Sequence, residues 1–191
     1  MLATDAVFDV DELLSEISAE SPCGEDLEYD AGFGEMERAA EETPEQQFGS
    51  TVVEAQLADW REVKNKAIEL LARTKDLRIA TYLCRALLPA HGLAAFSDGL
   101  RLLGGLLSRY WDEMHPRLDP DDDNDPTIRV NALASLNDPD ATLRHLKIAP
   151  LVESRMVGRF SLRDIGIATG EIPKDAGSES APDMTVINAA F

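Results

Sequence analysis

Apolar positions along this chain fall into stretches of helical period, separated by short polar or Pro/Gly breaks. Val10, Leu13, Leu14 and Ile17 recur at helical spacing behind acidic residues and predict a short helix over 9–18, ended by Ser21-Pro22 and Gly24. After an extended run at 25–31, Phe33, Met36 and Ala40 predict another helical piece, and 43–50, with Pro44 and Gly49, reads as a loop. Three longer amphipathic stretches follow. Asp59 is placed to cap a helix over 60–73 whose face carries Trp60, Val63, Ala67, Leu70 and Leu71. The carboxylate there accepts from a first-turn N–H that has no partner within the helix. Asp76 repeats the device for 77–89, with Leu77, Ala80, Leu83, Cys84 and Leu87 as the buried stripe, and Pro89 and Gly92 end it. The next helix, 93–110, presents Leu93, Phe96, Leu100, Leu103, Leu107 and Tyr110. Short connections between three such helices predict antiparallel packing. Gly99, Gly104 and Gly105 each cost a helix about 1 kcal/mol relative to Ala, so either a close helix approach or a hinge is expected there.

The string Tyr110-Trp-Asp-Glu-Met-His-Pro-Arg-Leu-Asp-Pro-Asp-Asp-Asp-Asn-Asp-Pro126 stops this run and carries the chain to a helix that Thr127 can cap, bearing Val130, Leu133 and Leu136. Asn137-Asp-Pro139 interrupts that helix. Leu143, Leu146 and Ile148 predict one more, closed by Pro150. From 151 to 167 the pattern changes to Val, Ile, Phe and Arg punctuated by Gly158 and Gly166, which predicts a small β-hairpin or extended segment. Residues 171–183, rich in Pro, Gly, Ser and acids, read as a linker, and 185–191 as the opening of another helix. The expected architecture is an all-α bundle of about six to eight helices with a small extended or β-hairpin segment near 151–167. Its expected organisation is an acidic N-terminal segment at 1–58, a helical core at 59–170, and at 171–191 a linker with the start of a following region.

Composition supports the helical reading. Apolar residues make up 44% of the 191 positions, enough for a core, while aromatics are only 6%; Leu and Ala favour helices where aromatics favour strands. No unbroken apolar run is long enough to span a bilayer and no basic-then-apolar leader opens the chain, so a cytoplasmic protein without direct membrane insertion is expected. The net charge of −18 is unevenly spread: 1–59 hold seventeen acids against one base, Arg38, whereas 60–118 hold ten bases against six acids. Such a surface repels phosphate backbones and argues against nucleic acid as a partner. The acidity either keeps the chain soluble or lets the N-terminal third dock on the domain's own basic helices or on a basic partner.

Candidate chemistry is sparse. Asp119, Asp121 and Asp123 have the first three spacings of an EF-hand loop, but its sixth position is Asn124 rather than Gly and its twelfth is Val130 rather than Glu. Asp and Pro also build tight turns, and Asp125 lies close enough to help cap the helix at 127. Asp112 and His115 would share a helix face, yet no third ligand completes a metal set, and His91 and His145 stand alone. Trp111 and Leu118 are better placed to plug the end of the bundle, with His115 fixing the turn before Pro116. Cys23 and Cys84 are expected to be free thiols, and sequence places no base beside Cys23. Phosphate-loop and nucleophile-elbow motifs are absent. Neither an enzyme nor a cofactor is expected.

Several of these motifs also occur together, and in order, in a known family. Ser21-Pro-Cys-Gly-Glu-Asp-Leu-x-Tyr-Asp30, Asp59-Trp-Arg-Glu-Val-Lys64, Thr74-Lys-Asp-Leu-Arg-Ile-Ala80, Arg85-Ala-Leu-Leu88 and the Trp-Asp-x-x-His-Pro-x-Leu-Asp-Pro string lead the set. Asn131-Ala-Leu133, Ala149-Pro-Leu151 and Gly158-Arg-Phe-Ser-Leu-Arg-Asp164 continue it. Over about Val10 to Gly170 the chain resembles the ImpA-type N-terminal domain of TssA proteins, assembly components of the bacterial type VI secretion system. The resemblance implies an all-α adaptor working at the cytosolic baseplate, or on the growing sheath and inner tube, without turnover. It also implies that ring assembly belongs to C-terminal regions, so a monomer or weak dimer is expected of this part.

The resemblance does not supply a binding site. The residues expected to make contact are Asp121, Asp122, Asp123 and Asp125, with Trp111 and Leu118 shaping the loop behind them. Two other readings stay open. One is a generic helical peptide-binding module whose groove between the helices at 60–110 exposes Leu88, Leu102 and Leu106. The other is a calcium-responsive domain.

Overall fold

Two aspartates start the helices that organise the core. Asp59 accepts from the N–H groups of Arg61 and Glu62 at 3.1 and 3.0 Å and opens α3, Trp60–Leu71. Asp76 accepts from Arg78 N–H at 2.7 Å and opens α4, Leu77–Arg109. The computed structural model describes residues 7–43, 46–48, 51–173 and 183–191. Ahead of α3 lie α1 (Val10–Leu13), α2 (Ala31–Ala40) and a hairpin of β1 (Gln46–Phe48) with β2 (Thr51–Val53). After α4 come α5 (Thr127–Ala134), α6 (Thr142–Ile148), a hairpin of β3 (Pro150–Ser154) with β4 (Gly158–Ser161), α7 (Leu162–Thr169) and α8 (Met184–Ala190). The protein is mainly helical with small antiparallel hairpins, the class expected from its periodicity.

Residues up to Leu136 form one compact unit and those from Asn137 a second. In the first, α3 packs on α2 and α4, and α4 also meets α1 and α5. Val63, Ala67, Leu71, Leu77, Leu83, Cys84 and Leu87 are fully buried there, with Phe33 and Met36 of α2 closing the core from outside. The acidic N-terminal segment lies on this core, with Asp30, Glu35 and Asp26 paired to Arg73, Lys66 and Arg78 at 2.7, 2.6 and 3.0 Å.

Within α4 the helix runs past Pro89 and breaks at Gly92, whose φ of 78° and ψ of −165° are open to glycine and strained for other residues. Of the two residues expected to end the helix, Gly92 makes the break and Pro89 lies within the helix. In the second arm the buried stripe is Ala95, Gly99, Leu102, Leu103 and Leu106, while Leu100 is 45% exposed. Both this stripe and the expected one have helical spacing. Small residues select the real one: a Cβ on Gly99 would lie 3.0 Å from the Cα of Cys84, and one on Gly105 would lie 2.5 Å from Leu14 Cδ1. Gly104, by contrast, faces open space. Leu88, Leu102 and Leu106 are 2%, 0% and 0% exposed, so the residues expected to line a peptide groove are core. By length and composition α4 could cross a membrane, a test core helices also pass; 50% of its most apolar stretch is buried inside the protein.

Other expectations shift for local reasons. The first helix stops at Leu13 because the Leu14 carbonyl accepts from the Tyr110 hydroxyl at 2.7 Å and the Ile17 N–H donates to Pro22. Part of the expected loop at 43–50 is strand: Gln46 pairs with Val53 and Phe48 with Thr51, flanked by a Thr43–Gln56 bridge. Pro44 and Gly49 lie outside the described residues, as does most of the expected linker.

In the second unit β3 and β4 pair antiparallel, with an irregularity between Pro150 and Val152. The extended segment does not reach 167. Ser161 accepts from Asp164 N–H while the Asp164 carboxylate accepts from Ser161 N–H at 2.8 Å, a capping box that turns 162–169 into α7. Ile187 of α8 is buried where α8 packs on the hairpin and α7.

Candidate functional site

Three of the motifs singled out from the sequence meet in one buried junction of the first unit. Gly24 bridges Thr74, and Lys75 N–H donates to Cys23 O at 2.8 Å. On its other side Lys75 O accepts from His115 N–H at 2.9 Å, and His115 O accepts from Leu77 N–H at 2.8 Å. Thr74 Oγ1 donates to Glu25 O at 2.6 Å. His115 is 4% exposed with Nε2 3.2 Å from Gly24 O; a carbonyl can only accept, so Nε2 carries the proton. A Cβ on Gly24, at φ +68°, would fall 2.1 Å from Arg73 O, so only glycine fits where the strands cross. The role expected for His115, fixing the turn before Pro116, takes this form.

Arg78 clamps the rim of the junction. Its guanidinium donates to Asp76 at 2.7 Å, Glu28 at 2.8 Å and Asp26 at 3.0 Å. Burial alone would lower its pKa, but the hydrogen bonds and charges of these carboxylates outweigh burial and hold it above the ordinary arginine value.

Arg129 is the residue sequence reasoning missed. It is 1% exposed, and its guanidinium donates to the carbonyls of Pro116 at 3.0 Å, Met114 at 2.8 Å and Trp111. It thereby caps the whole Trp-Asp-x-x-His-Pro turn. Val130, expected on the buried face of α5, is 58% exposed instead. An arginine beside an apolar stripe, downstream of a loop full of free carbonyls, was the available signal. Burial lowers the Arg129 pKa, opposed by Asp112.

The plug at the bundle end is Met114, at 0% exposure, rather than Trp111 and Leu118. Trp111 is 40% exposed and lies over Arg129, while Leu118 is half-buried. Leu118 precedes a 3-10 turn, Pro120–Asp122, capped by Asp119, whose carboxylate accepts from Asp121 N–H at 2.9 Å. Asp123 and Asn124 both take left-handed conformations, at φ 51° and 54°. Asp125 accepts from the N–H and hydroxyl of Thr127 at 2.8 and 2.6 Å and so serves the first N–H of α5, whose N-cap position is Pro126. This bonding holds its carboxyl below the usual range. Asp121, Asp122 and Asp123 are exposed, and among the described residues their carboxylates make no hydrogen bond or ion pair. The loop thus spends Asp119 and Asp125 on its own shape and presents the three between them.

Both cysteines are free and buried. Burial raises the Cys23 thiol pKa and pushes that of Cys84 up to about 12, the opposite of nucleophile activation. Among the described residues no three His, Cys, Asp or Glu side chains are grouped to hold a metal ion.

Comparison with known proteins places this geometry. Residues 14–138 match the family described as ImpA, N-terminal, type VI secretion system. The chain is 46% identical over 157 residues to the type VI secretion system component TssA1 of Pseudomonas aeruginosa, a match covering 82% of this chain and 45% of that protein. It therefore spans less than half the length of that relative. The fold is similar, with a TM-score of 0.69 and 29% identity, to the solved N-terminal domain that includes the conserved ImpA_N region of the TssA component from Burkholderia cenocepacia. That alignment covers 100% of this chain and 74% of the solved one. Every motif of the buried junction, from Gly24 through Thr74 and His115 to Arg129, falls inside the matched span, and on that match the chain belongs to the ImpA N-terminal family of the type VI secretion system.

Proposed function

We propose that this domain is a non-catalytic adaptor that docks on baseplate, sheath or tube subunits of the secretion apparatus on its cytoplasmic side, using the Asp121–Asp123 loop. The observation that carries this reading is the division of labour along the acidic run. Asp119 and Asp125 fix the backbone, leaving Asp121, Asp122 and Asp123 exposed and, among the described residues, unpaired on the turn between them. Ordering these carboxylates in advance lowers the entropic cost of meeting a basic partner. Trp111 and Leu118 back the loop, and this domain acts as a monomer or weak dimer by itself and as part of an oligomer in the full-length protein.

The test is binding of purified baseplate, sheath and tube subunits to the domain and to its Asp121→Asn, Asp122→Asn, Asp123→Asn variant. Leaving Asp125 intact preserves its bonds to Thr127 at the start of α5. One subunit class bound by the wild type, and bound at least tenfold more weakly by the variant in proportion to the electrostatic share of the contact, is the expected result. Equal binding by both would move the interface off this loop.

A further inference from the structure

A second polar site adjoins the junction at Arg78, between α2, α4 and the end of α5. It is a cavity of 230 Å³ walled by Phe33, Arg78, Tyr82, Arg85 and Ala132, with Glu37 also on its lining. Two arginines lie on aromatic faces here. Arg78 sits 5.2 Å from the Phe33 ring centre, and Arg85 sits 5.6 Å from that of Tyr82 and 5.5 Å from that of Trp60. Stacking fixes a guanidinium plane and leaves its N–H edge free to bond.

The two cations differ in what that edge meets. Arg78 is saturated by Asp26, Glu28 and Asp76. Arg73 and Lys66 are likewise paired with acids of the N-terminal segment. Arg85, two turns along the same helix face as Arg78, makes no hydrogen bond or ion pair among the described residues, and its Nε is buried without an acceptor. Arg85 is thus a stacked guanidinium beside an open cavity with, among the described residues, no carboxylate partner.

The geometry points to this cavity as a receptor for a glutamate or aspartate side chain presented by an acidic segment of another protein subunit. The carboxylate would bond the free guanidinium edge of Arg85, with Tyr82 on the same wall. Phe33 and Ala132 would cover the apolar part of the incoming segment. Glu37 is the one opposing charge on the lining and weakens the site. This inference stands apart from the Asp121–Asp123 loop and holds or fails independently of it.

The experiment is an NMR titration of the isotope-labelled domain with a capped Leu-Glu-Leu tripeptide at millimolar concentration, and with its Leu-Gln-Leu analogue. The Arg85 Nε–H signal and the amides of Tyr82, Ala132 and Ser135 are followed. The carboxylate peptide is expected to shift them saturably and the Gln analogue is not. Arg85→Lys should weaken binding roughly tenfold, since an ammonium offers a point charge rather than a planar fork. Glu37→Gln, which removes the opposing charge, should strengthen it. No shift with either peptide would overturn the proposal, as would equal shifts with both, or binding unchanged in Arg85→Lys and Glu37→Gln.

Discussion

The guanidinium of Arg129 lies 4.7 Å from the centre of the Trp111 ring and donates to the Trp111 carbonyl, so one residue holds both the side chain and the backbone of the turn that ends α4. Its other N–H groups serve Met114 and Pro116. A lysine ammonium has three donors on a single nitrogen and cannot span carbonyls that Arg129 reaches from Nε, Nη1 and Nη2. Arg129→Lys is expected to cost about 2–4 kcal/mol, because it leaves buried carbonyls unpaired and keeps a buried charge. Urea unfolding of the two proteins measures it.

Glycines on α4 should separate by environment. Gly104 faces open space and Gly99 abuts the Cys84 backbone. Gly104→Ala is expected to raise stability by about 0.5–1 kcal/mol through the unfolded state. Gly99→Ala should lower it by about 1–3 kcal/mol, as overpacking against main chain. Thermal melts that moved both variants the same way would contradict this packing.

Lys75 is 1% exposed, and its ammonium lies 3.4 Å from Leu71 O with no carboxylate beside it among the described residues. Burial lowers its pKa, with Cys23 opposing. Between that lowered value and the ordinary lysine value the unfolded chain binds a proton the folded chain has released, so this group makes stability rise with pH. Lys75→Met should be more stable by about 1 kcal/mol near neutrality, with the gap closing at alkaline pH. A gap independent of pH would rule out the buried charge as its source.

Acid should act through the N-terminal segment. The hydrogen bond from Arg73, followed by that from Gly32 N–H, lowers the Asp30 pKa, and the Lys66 hydrogen bond lowers that of Glu35. Carboxylates depressed in the folded state stabilise it above their unfolded pKa, and that contribution is lost as pH falls through the folded value. Melting temperature should therefore drop below the ordinary carboxylate range, and Asp30→Asn with Glu35→Gln should flatten that drop.

Helix starts were legible because a cap acts on its own first turn: Asp59 and Asp76 need no tertiary information. The pairing of the acidic segment with basic helices was also visible, as one of two readings of the charge asymmetry. What failed depends on neighbours. Two leucine stripes of equal period compete after Gly92, and only the approach of Cys84 and Leu14 to Gly99 and Gly105 decides between them. Arg129 in place of Val130 is a choice made by the carbonyls of a distant turn. The capping box of Ser161 and Asp164 was readable and overlooked, because β-branched residues around it masked the helix. For the site, the Asp turn was foreseen as a loop, whereas the cavity at Arg85 exists only once α2 and α5 flank α4.

The junction of Gly24, Thr74–Asp76 and His115 also sets an order of assembly. Its hydrogen bonds reach across 91 residues, from the His115 side chain to Gly24 O, whereas α3 and α4 are chain neighbours with a short connection. Closing the longer loop costs more entropy before any contact rewards it. The α3–α4 pair can therefore form while the chain is still emerging, and the junction locks only when His115 and Arg129 arrive. Substitutions at Thr74 or His115 should accelerate unfolding and leave the refolding rate nearly unchanged.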